Sequence, residues 1–258
     1  MIRPGSIATV AESADTNAAI WRSEQGVSYW RSTAEDREQR RAGQRRLLAE
    51  LLPFRDDESF TFVDLGAGTG AAARAVLDRF PAAQAILTDF SPQMMDEGQQ
   101  QLAAYAGRYR YMEFDLSCGG DWPAEIPDGL SAVISSLCVH HLNDERKKQL
   151  FGEILEHLAP GGWYLNFDPV VADDPVIKEA WQRANDRRDP AAAAKRQHRT
   201  PEEQRRYENH VRYMIPLGPQ LEFLRTAGFE AVDVYWKELD YVLYGGRRPA
   251  AGGFPPSR

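Results

Sequence analysis

Short apolar runs alternate with helix-forming stretches through the middle of the chain. The first run, residues 61–65, ends in glycines and is typical of a buried parallel strand. After it, apolar residues recur at the spacing of one helix face: Ala73, Val76, Leu77 and Phe80. Further strands are predicted at residues 85–89, 109–116, 130–137 and 163–167. Because strands and helices alternate, we expect an α/β fold with a doubly wound, mostly parallel sheet and helices on both faces.

The regular alternation stops after the fifth predicted strand. Residues 169–216 favour helix and contain no clear strand, so we interpret them as an insertion. The pattern resumes with a predicted helix at 217–227 and two β-rich runs at 230–236 and 239–245, which indicate a terminal hairpin. We therefore divide the chain into an N-terminal helical segment (1–52), a core (53–168), the helical insertion (169–216), the rest of the core (217–248) and a disordered tail (249–258).

The composition fits a compact protein of 258 residues. Hydrophobic residues make up 43% of the chain, which is enough for a sizeable core, and the formal net charge is −7. Because phosphate backbones repel an acidic chain, we do not expect a nucleic-acid partner. No apolar run approaches the ~20 residues of a membrane span. The start of the chain lacks the apolar stretch of a secretory signal, and Cys118 and Cys138 have no metal-ligand spacing. We expect a cytoplasmic monomer or homodimer with no membrane partner.

The strongest chemical signal is the segment Asp64-Leu65-Gly66-Ala67-Gly68-Thr69-Gly70, between the first strand and its helix. Its glycines permit a tight turn and let a ligand approach the backbone closely. The free N–H groups at the start of the following helix attract an anion. Such a turn can hold a pyrophosphate or the carboxylate of an amino-acid-like ligand. By itself it therefore fits both a dehydrogenase and a methyltransferase.

Three acidic residues lie at the ends of three consecutive predicted strands. Asp64 lies two residues before the first glycine, where it can hold an ammonium group. A methionine-derived ligand has such a group and a pyrophosphate does not. Asp89 ends the second strand, where a carboxylate can accept both ribose hydroxyls. Asp115 ends the predicted third strand, where an acid can accept the amino group of an adenine. Together the three acids favour S-adenosylmethionine over a dinucleotide.

These residues resemble the class I S-adenosylmethionine-dependent methyltransferase family, in its small-molecule branch. The resemblance rests on D-x-G-x-G-x-G at 64–70, D-x-S at 89–91, Asp115, and the run from Ser135 to Leu142 followed by a helix and Pro160-Gly161-Gly162. We expect the last three residues to end that helix. The family implies a seven-stranded sheet whose last strand is antiparallel.

The resemblance also implies a cofactor site. It suggests that the glycine turn contacts the methionine part of S-adenosylmethionine, that Asp89 binds the ribose, and that Phe90, Asp115 and Leu116 surround the adenine. The full set of expected cofactor contacts is Tyr29, Asp64, Gly66, Ala67, Gly68, Gly70, Asp89, Phe90, Asp115, Leu116 and Ser136.

Histidines supply the candidate catalytic groups. Methyl transfer from a sulfonium needs alignment and exclusion of water, and it needs a general base only for some acceptors. The candidates are His140 and His141, which follow the strand that faces the sulfonium, and His210 in the insertion. Histidines at such positions can also merely orient a loop or lie on a solvated helix face. The paired histidines and Asp168 match no standard metal-ligand spacing, so we expect no metal.

The insertion is basic although the chain is acidic. Residues 183–212 contain nine lysines and arginines against five acidic residues. These arginines can pair along a solvated helix, or some can turn inward and hold a carboxylate or phosphate of the substrate. We expect substrate contacts from Arg199, Tyr207 and Tyr213. We interpret the insertion and the N-terminal segment as a substrate lid.

Four functions remain open at this point. The leading hypothesis is an S-adenosylmethionine-dependent methyltransferase acting on a small molecule, with the accepting atom (O, N, S or C) undetermined. The alternatives are a tRNA-modifying enzyme of the same fold, a non-catalytic cofactor-binding module and a dehydrogenase.

Overall fold

The computed structural model of the protein describes residues 21–22, 28, 32, 34–120 and 122–251. The predicted contact of Tyr29, most of the chain before residue 34, and residues 252–258 of the predicted tail lie outside the described residues. Within the described part, no helix combines the length and the apolar character needed to cross a membrane.

The strands form one seven-stranded sheet. They are β1 (Thr61–Leu65), β2 (Gln84–Asp89), β3 (Tyr109–Glu113), β4 (Leu130–Ser136), β5 (Leu158–Pro169), β6 (Glu230–Glu238) and β7 (Tyr241–Arg247). Their spatial order is β3-β2-β1-β4-β5-β7-β6. Strand β7 runs antiparallel to both of its neighbours, and the other pairs are parallel. The predicted mostly parallel, seven-stranded sheet with an antiparallel last strand is confirmed.

Helices cover the sheet and make up the insertion. They are α1 (Ala34–Glu50), α2 (Ala71–Arg79), α3 (Pro92–Gln101), α4 (Asp144–His157), α5 (Pro175–Arg188), α6 (Pro190–Gln197), α7 (Pro201–Val211) and α8 (Leu217–Ala227). Short 3₁₀ turns follow α3 at Ala103–Tyr105 and β4 at Val139–His141. Helix α8 has the predicted bounds and ends at Gly228, whose φ of 108° is left-handed.

Two apolar cores lie against the sheet because side chains alternate between its faces. In β1, Phe62 lies in one core and Val63 in the other. The core around Phe62 includes Leu48 of α1, and the core around Val63 includes Phe151 of α4 and Leu224 of α8. Since helices cover both faces, a ligand can reach the strands only at their ends.

The three helices of the insertion begin with one shared sequence signal. Asp174, Asp189 and Thr200 accept hydrogen bonds from N–H groups in the first turns of α5, α6 and α7, and a proline follows each of them. None of the residues in these three fully described helices is buried. The insertion is therefore helical, as predicted, and lies on the surface of the core.

The predicted start of β5 is wrong. Helix α4 ends at His157, and β5 begins at once at Leu158 and includes the Pro-Gly-Gly segment that was predicted to stop the helix. A Cβ on Gly162 would lie 2.9 Å from the carbonyl oxygens of Ala159 and Leu130. This glycine is therefore needed for close strand packing, where β5 shifts register against β4.

The predicted ends of β3 and of the hairpin are also wrong. Strand β3 ends at Glu113, so Asp115 lies two residues beyond it, in a loop. The hairpin turns at Leu239 and Asp240, and Leu239 has a left-handed φ of 50°. Strand β7 therefore covers Tyr241–Arg247 rather than residues 239–245. Local β propensity does not reveal which residue adopts the turn conformation.

The close contact of β7 with β5 requires a residue without a side chain at Gly245, and this requirement can be tested. A Cβ at this position would lie 2.0 Å from the carbonyl oxygen of Tyr164. We expect Gly245→Ala to lower the free energy of unfolding by at least about 2 kcal/mol, because backbone atoms must move. The control is Gly152→Ala in α4, where an added Cβ meets no atom within 4 Å. Urea unfolding should show this variant to be equal to the wild type or more stable by about 0.5–1 kcal/mol. Equal effects of the two substitutions would contradict the packing described.

Candidate active site

A cavity of about 1120 Å³ lies at the carboxyl ends of β1, β2 and β4. Parallel strands bring the segments that follow them to this edge of the sheet. The wall contains most of the predicted site residues: Asp64, Gly66, Ala67, Gly68, Asp89, Phe90, Asp115, Leu116, Ser136, His140, His141, Arg199, Tyr207, His210 and Tyr213. Segments that are distant in sequence thus meet around one space.

The glycine turn forms one side of the cavity. Gly66 and Gly68 have left-handed φ angles of 65° and 54°. A Cβ on Gly66 would lie 2.0 Å from the Sγ of Cys138, so this position excludes a side chain. Gly70 is not part of the cavity wall, and a Cβ there would lie 2.6 Å from the Cδ1 of Leu102. Gly70 therefore has a packing role at the start of α2, and its contact with the cofactor stays a prediction.

Asp64 presents one unpaired oxygen at this turn. Its Oδ2 accepts a hydrogen bond from the N–H of Ala73 at 3.1 Å. Its Oδ1 is buried and has no hydrogen-bond partner among the described residues. Burial raises the pKa of Asp64 to about 7, although the Ala73 N–H and the charge of Arg45 act in the opposite direction. A buried carboxylate oxygen without a donor fits a ligand that brings a cationic N–H group.

Asp89 holds the glycine turn in place. Its Oδ2 accepts a hydrogen bond from the N–H of Gly68 at 2.7 Å, and its Oδ1 accepts one from the N–H of Ser91 at 2.9 Å. Burial raises the pKa of Asp89, and these N–H donors lower it. Each oxygen keeps a second lone pair that can accept a hydroxyl of a ligand. The carboxylate therefore shapes the turn and can also contact what the turn holds.

Phe90 and Asp115 lie near each other at the adjoining loops. The Oδ1 of Asp115 accepts hydrogen bonds from the N–H of Ser117 at 2.9 Å and from its hydroxyl at 2.6 Å. The guanidinium of Arg22 lies 3.7 Å from Asp115 Oδ2 and 5.4 Å from the centre of the Phe90 ring. Arg22 did not stand out in the sequence, yet it lies beside both residues predicted to contact an adenine.

The loop after β4 is fixed by strand β5. Leu137 has a left-handed φ of 62°, and its N–H donates to the carbonyl of Phe167 at 2.8 Å. The carboxylate of Asp168 accepts the backbone N–H of His140 at 2.7 Å and lies 2.6 Å from the Nδ1 of its ring. Burial raises the pKa of Asp168 to about 7 and lowers that of His140 to about 3. Since burial disfavours the charged form of both, His140 is neutral at pH 7.

The third predicted histidine joins this pair from the insertion. The ring centre of His210 lies 4.9 Å from that of His140 and 5.4 Å from that of His141, and the latter two lie 3.9 Å apart. Burial and the neighbouring histidines lower the pKa of His141, and burial and His140 lower the pKa of His210 to about 4. Three neutral imidazoles therefore share one part of the cavity wall.

Some arginines of the insertion pair with carboxylates, as expected for a solvated helix. Four of them lie within 3.0 Å of a carboxylate oxygen: Arg183 with Glu179, Arg188 with Glu238, Arg196 with Asp186 and Arg206 with Glu202. Of these pairs only Arg196 and Arg206 also contribute to the cavity wall. Their charges are largely compensated.

Other arginines on the wall lie against tyrosine rings. The guanidinium of Arg199 lies 3.8 Å from the ring centre of Tyr207, and that of Arg212 lies 5.3 Å from that of Tyr213. Arg41 of α1 donates to the hydroxyl of Tyr241 at 3.2 Å. Among the residues that the structure describes, none of these three arginines has a carboxylate within ion-pair distance. Their positive charges thus remain available at the cavity wall.

Sequence reasoning assigned the N-terminal segment to the lid but missed Arg41 and Arg45 of α1. Both line the cavity, and they occupy the same stripe of the helix as the buried residue Leu48. The spacing of 4 and 3 residues along this stripe is a signal that can be found in a sequence. The contact between Gly66 and Cys138 left no such signal, because the two residues are 72 positions apart (138 minus 66).

Comparison with known proteins agrees with this geometry. Residues 62–162 match the family described as a methyltransferase domain. The match covers 101 of the 258 residues, so the similarity extends over part of the chain. The matched residues include the glycine turn, Asp89 and the paired histidines.

Two relatives of this segment are named for different small molecules. Trans-aconitate 2-methyltransferase from Azoarcus sp. (strain BH72) is 29% identical over 119 residues, which are 46% of this chain and 43% of the relative. Mitomycin biosynthesis 6-O-methyltransferase from Streptomyces lavendulae is 25% identical over 161 residues, 58% of this chain and 44% of the relative. The chain thus matches less than half the length of either relative.

A solved structure extends the likeness to most of the fold. An O-methyltransferase family protein from Burkholderia thailandensis is 20% identical, with a TM-score of 0.65, over 92% of this chain and 64% of that chain. At this identity the likeness establishes the fold shared with the methyltransferase domain and leaves the acceptor open.

The raised pKa of Asp64 predicts a pH dependence of stability in the protein without ligand. Its folded-state pKa of about 7 lies above the ordinary 3.8, so the contribution of Asp64 to stability is most favourable below about pH 4 and is lost as the pH rises towards 7. We expect Asp64→Asn to remove this loss, which amounts to about 4 kcal/mol at most. Urea unfolding between pH 4 and 8 should show a gain for the variant that grows with pH. A gain in the free energy of unfolding that is constant with pH would contradict the raised pKa of Asp64. The same gain in the control Asp96→Asn, at an exposed aspartate, would also contradict it.

Proposed function

We propose that this protein is an S-adenosylmethionine-dependent methyltransferase with a small-molecule acceptor. The observation that carries the proposal is the unpaired Oδ1 of Asp64 at the glycine turn. The methionine end of S-adenosylmethionine has an ammonium group that such an oxygen accepts and a carboxylate that suits the N–H groups at the start of α2. A pyrophosphate has no cationic donor and meets repulsion from Asp64, which argues against a dehydrogenase.

The other residues of the turn support the same ligand. Asp89 has lone pairs left for the two ribose hydroxyls, and Phe90, Asp115 and Leu116 adjoin it on the wall. The hydroxyl of Ser136 is buried and has no partner among the described residues, so it too can contact the bound cofactor. When bound, S-adenosylmethionine supplies a methyl group on a positively charged sulfur.

What the chain must contribute is alignment of the acceptor and exclusion of water. Proximity of the reacting atoms alone can contribute about 7–11 kcal/mol to catalysis. We propose that helices α5–α7, together with α1, form the cover that does this. Residues from α6, α7 and α1 line the same cavity as the glycine turn, and none of the residues of α5–α7, all described, is buried. Helices α5–α7 can therefore open without disturbing the core.

The proposed cofactor is tested by calorimetry with S-adenosylhomocysteine, the demethylated product. We expect binding by the wild type and at least tenfold weaker binding by Asp89→Ala, because charge-assisted hydrogen bonds are worth about 1.5–3 kcal/mol each. The matched control is Asp96→Ala on the exposed side of α3, which should bind like the wild type. Tight binding of NAD without binding of S-adenosylhomocysteine would replace the proposal by a dehydrogenase. Unchanged binding by Asp89→Ala would overturn the ribose assignment.

We propose further that the acceptor is an anion. Arg41, Arg199 and Arg212 bring three positive charges to the wall, and each lies beside a tyrosine. A guanidinium stacked on an aromatic ring keeps its planar fork free for the two oxygens of a carboxylate or phosphate. One relative is named for trans-aconitate, a tricarboxylate.

The acceptor class is tested with paired compounds. A panel of small carboxylic acids, trans-aconitate among them, is compared with the corresponding neutral amides, and release of S-adenosylhomocysteine is measured. We expect the acids to be preferred. Arg199→Gln should raise the apparent KM of the best acid by about tenfold or more and leave the affinity for S-adenosylhomocysteine unchanged. Arg183→Gln, at an exposed arginine paired with Glu179, is the control. Equal methylation of amides and acids would overturn the proposal of an anionic acceptor and would leave the proposed cofactor unaffected.

A further inference from the structure

Three histidines from two distant segments face one another at the cavity wall. Each of His140, His141 and His210 offers a ring nitrogen, and these three atoms lie within 4.8 Å of one another. The first two belong to the 3₁₀ turn after β4, and the third is on the last turn of α7. The cluster exists only when the insertion is folded over the core.

The ring of His140 is oriented by a buried carboxylate. Its Nδ1 lies 2.6 Å from Asp168 Oδ1, and Asp168 is fully buried. With the proton on Nδ1, the Nε2 presents a bare lone pair, and it has no hydrogen-bond partner among the described residues. A carboxylate behind a histidine is the arrangement that fixes the tautomer of many metal ligands.

His141 shows the same lack of a partner. Its Nδ1 is buried and accepts or donates no hydrogen bond within the described part of the chain. Buried polar atoms are nearly always paired in folded proteins, so these two nitrogens on adjoining residues leave room for a ligand. A single general base would account for one of the two lone pairs, and His210 offers a third ring nitrogen nearby.

We propose that His140, His141 and His210 bind one divalent transition-metal ion, with Zn²⁺ as the best fit. Three imidazole nitrogens, an open fourth position and a carboxylate behind one ligand form the donor set typical of a reactive zinc site. The spacing of the first two histidines along the chain gave no reason to expect a metal. The third ligand is supplied by the tertiary structure.

Geometry and charge are both compatible with this ion. Zinc–nitrogen bonds of about 2.0–2.1 Å place tetrahedral ligand atoms about 3.3 Å apart, so nitrogens that are now up to 4.8 Å apart must approach one another by up to about 1.5 Å. Lys147 and Arg41 are the nearby positive groups that act on His140. Lys147 donates to the carbonyl of Tyr213 and Arg41 to Tyr241, while Asp168 supplies a negative charge behind His140. The attraction between the ion and three coordinating nitrogens is stronger than its repulsion from the more distant cations.

The open position of the ion faces the cavity that also holds the glycine turn. Resting on the proposed function, we assign it the acceptor: an oxygen or nitrogen bound to the metal loses its proton more readily and is held near the proposed cofactor. The arginines would then bind the acceptor's anionic groups while the metal binds its reacting atom.

Metal binding can be measured without the cofactor or any acceptor. The full chain, purified without a polyhistidine tag and stripped with a chelator, is titrated with ZnSO₄ against a chromophoric chelator and with CoCl₂ by visible absorption. We expect one equivalent of Zn²⁺ and Co²⁺ bands typical of four-coordinate sites. Asp168→Asn should weaken Zn²⁺ binding by about 10- to 100-fold, and His210→Ala by at least as much. The control His198→Ala, at an exposed histidine of the same insertion, should bind like the wild type.

The result separates this proposal from the previous one. Circular dichroism and binding of S-adenosylhomocysteine show whether each variant is folded. If His210→Ala does not fold, His210→Gln is measured in its place. Failure of S-adenosylhomocysteine to bind the wild type would overturn the proposed function and leave the metal result standing. A zinc Kd above about 0.1 mM, or one equivalent retained by folded His210→Ala or His210→Gln, would overturn the metal site.

Discussion

The molecule depends on one constraint: parallel strands deliver the segments that follow them to the same edge of the sheet. Helices cover both faces, so this edge is where the chain can leave polar groups facing a space rather than a core. The glycine turn after β1, Asp89 at the end of β2 and the histidine loop after β4 all meet there. Asp168, at the end of β5, joins them by fixing His140.

Burial of acidic groups at this edge works against stability. Burial raises the pKa of Asp64 and of Asp168 to about 7, so their ionised forms are disfavoured in the folded protein. Each keeps a backbone N–H donor, from Ala73 and His140 respectively, that limits the cost. Carboxylates that only stabilised the fold would be expected at the surface. Their burial beside a large cavity is typical of groups held ready for a ligand.

The arginines of the insertion fall into two groups with different surroundings. Arginines paired with carboxylates, such as Arg183 with Glu179, give exposed helices a solvated surface. Arg199 lies on Tyr207 instead and faces the cavity. Helix α7, which carries Tyr207, brings His210 to the histidines of the core. The insertion therefore supplies both the proposed charge selection and the third member of the histidine cluster.

The sequence by itself determined the α/β alternation, the glycine turn, Asp89 at the end of β2 and the helical character of the insertion, because these depend on periodicity and on residues a few positions apart. It misplaced the ends of β3 and β5, since strand length depends on pairing with a neighbour. Only the tertiary structure decided that Gly66 must make room for Cys138, that Arg41 faces the cavity and that His210 reaches His140. Those contacts join segments far apart in the chain, and packing of whole elements, rather than local propensity, determines which of them meet.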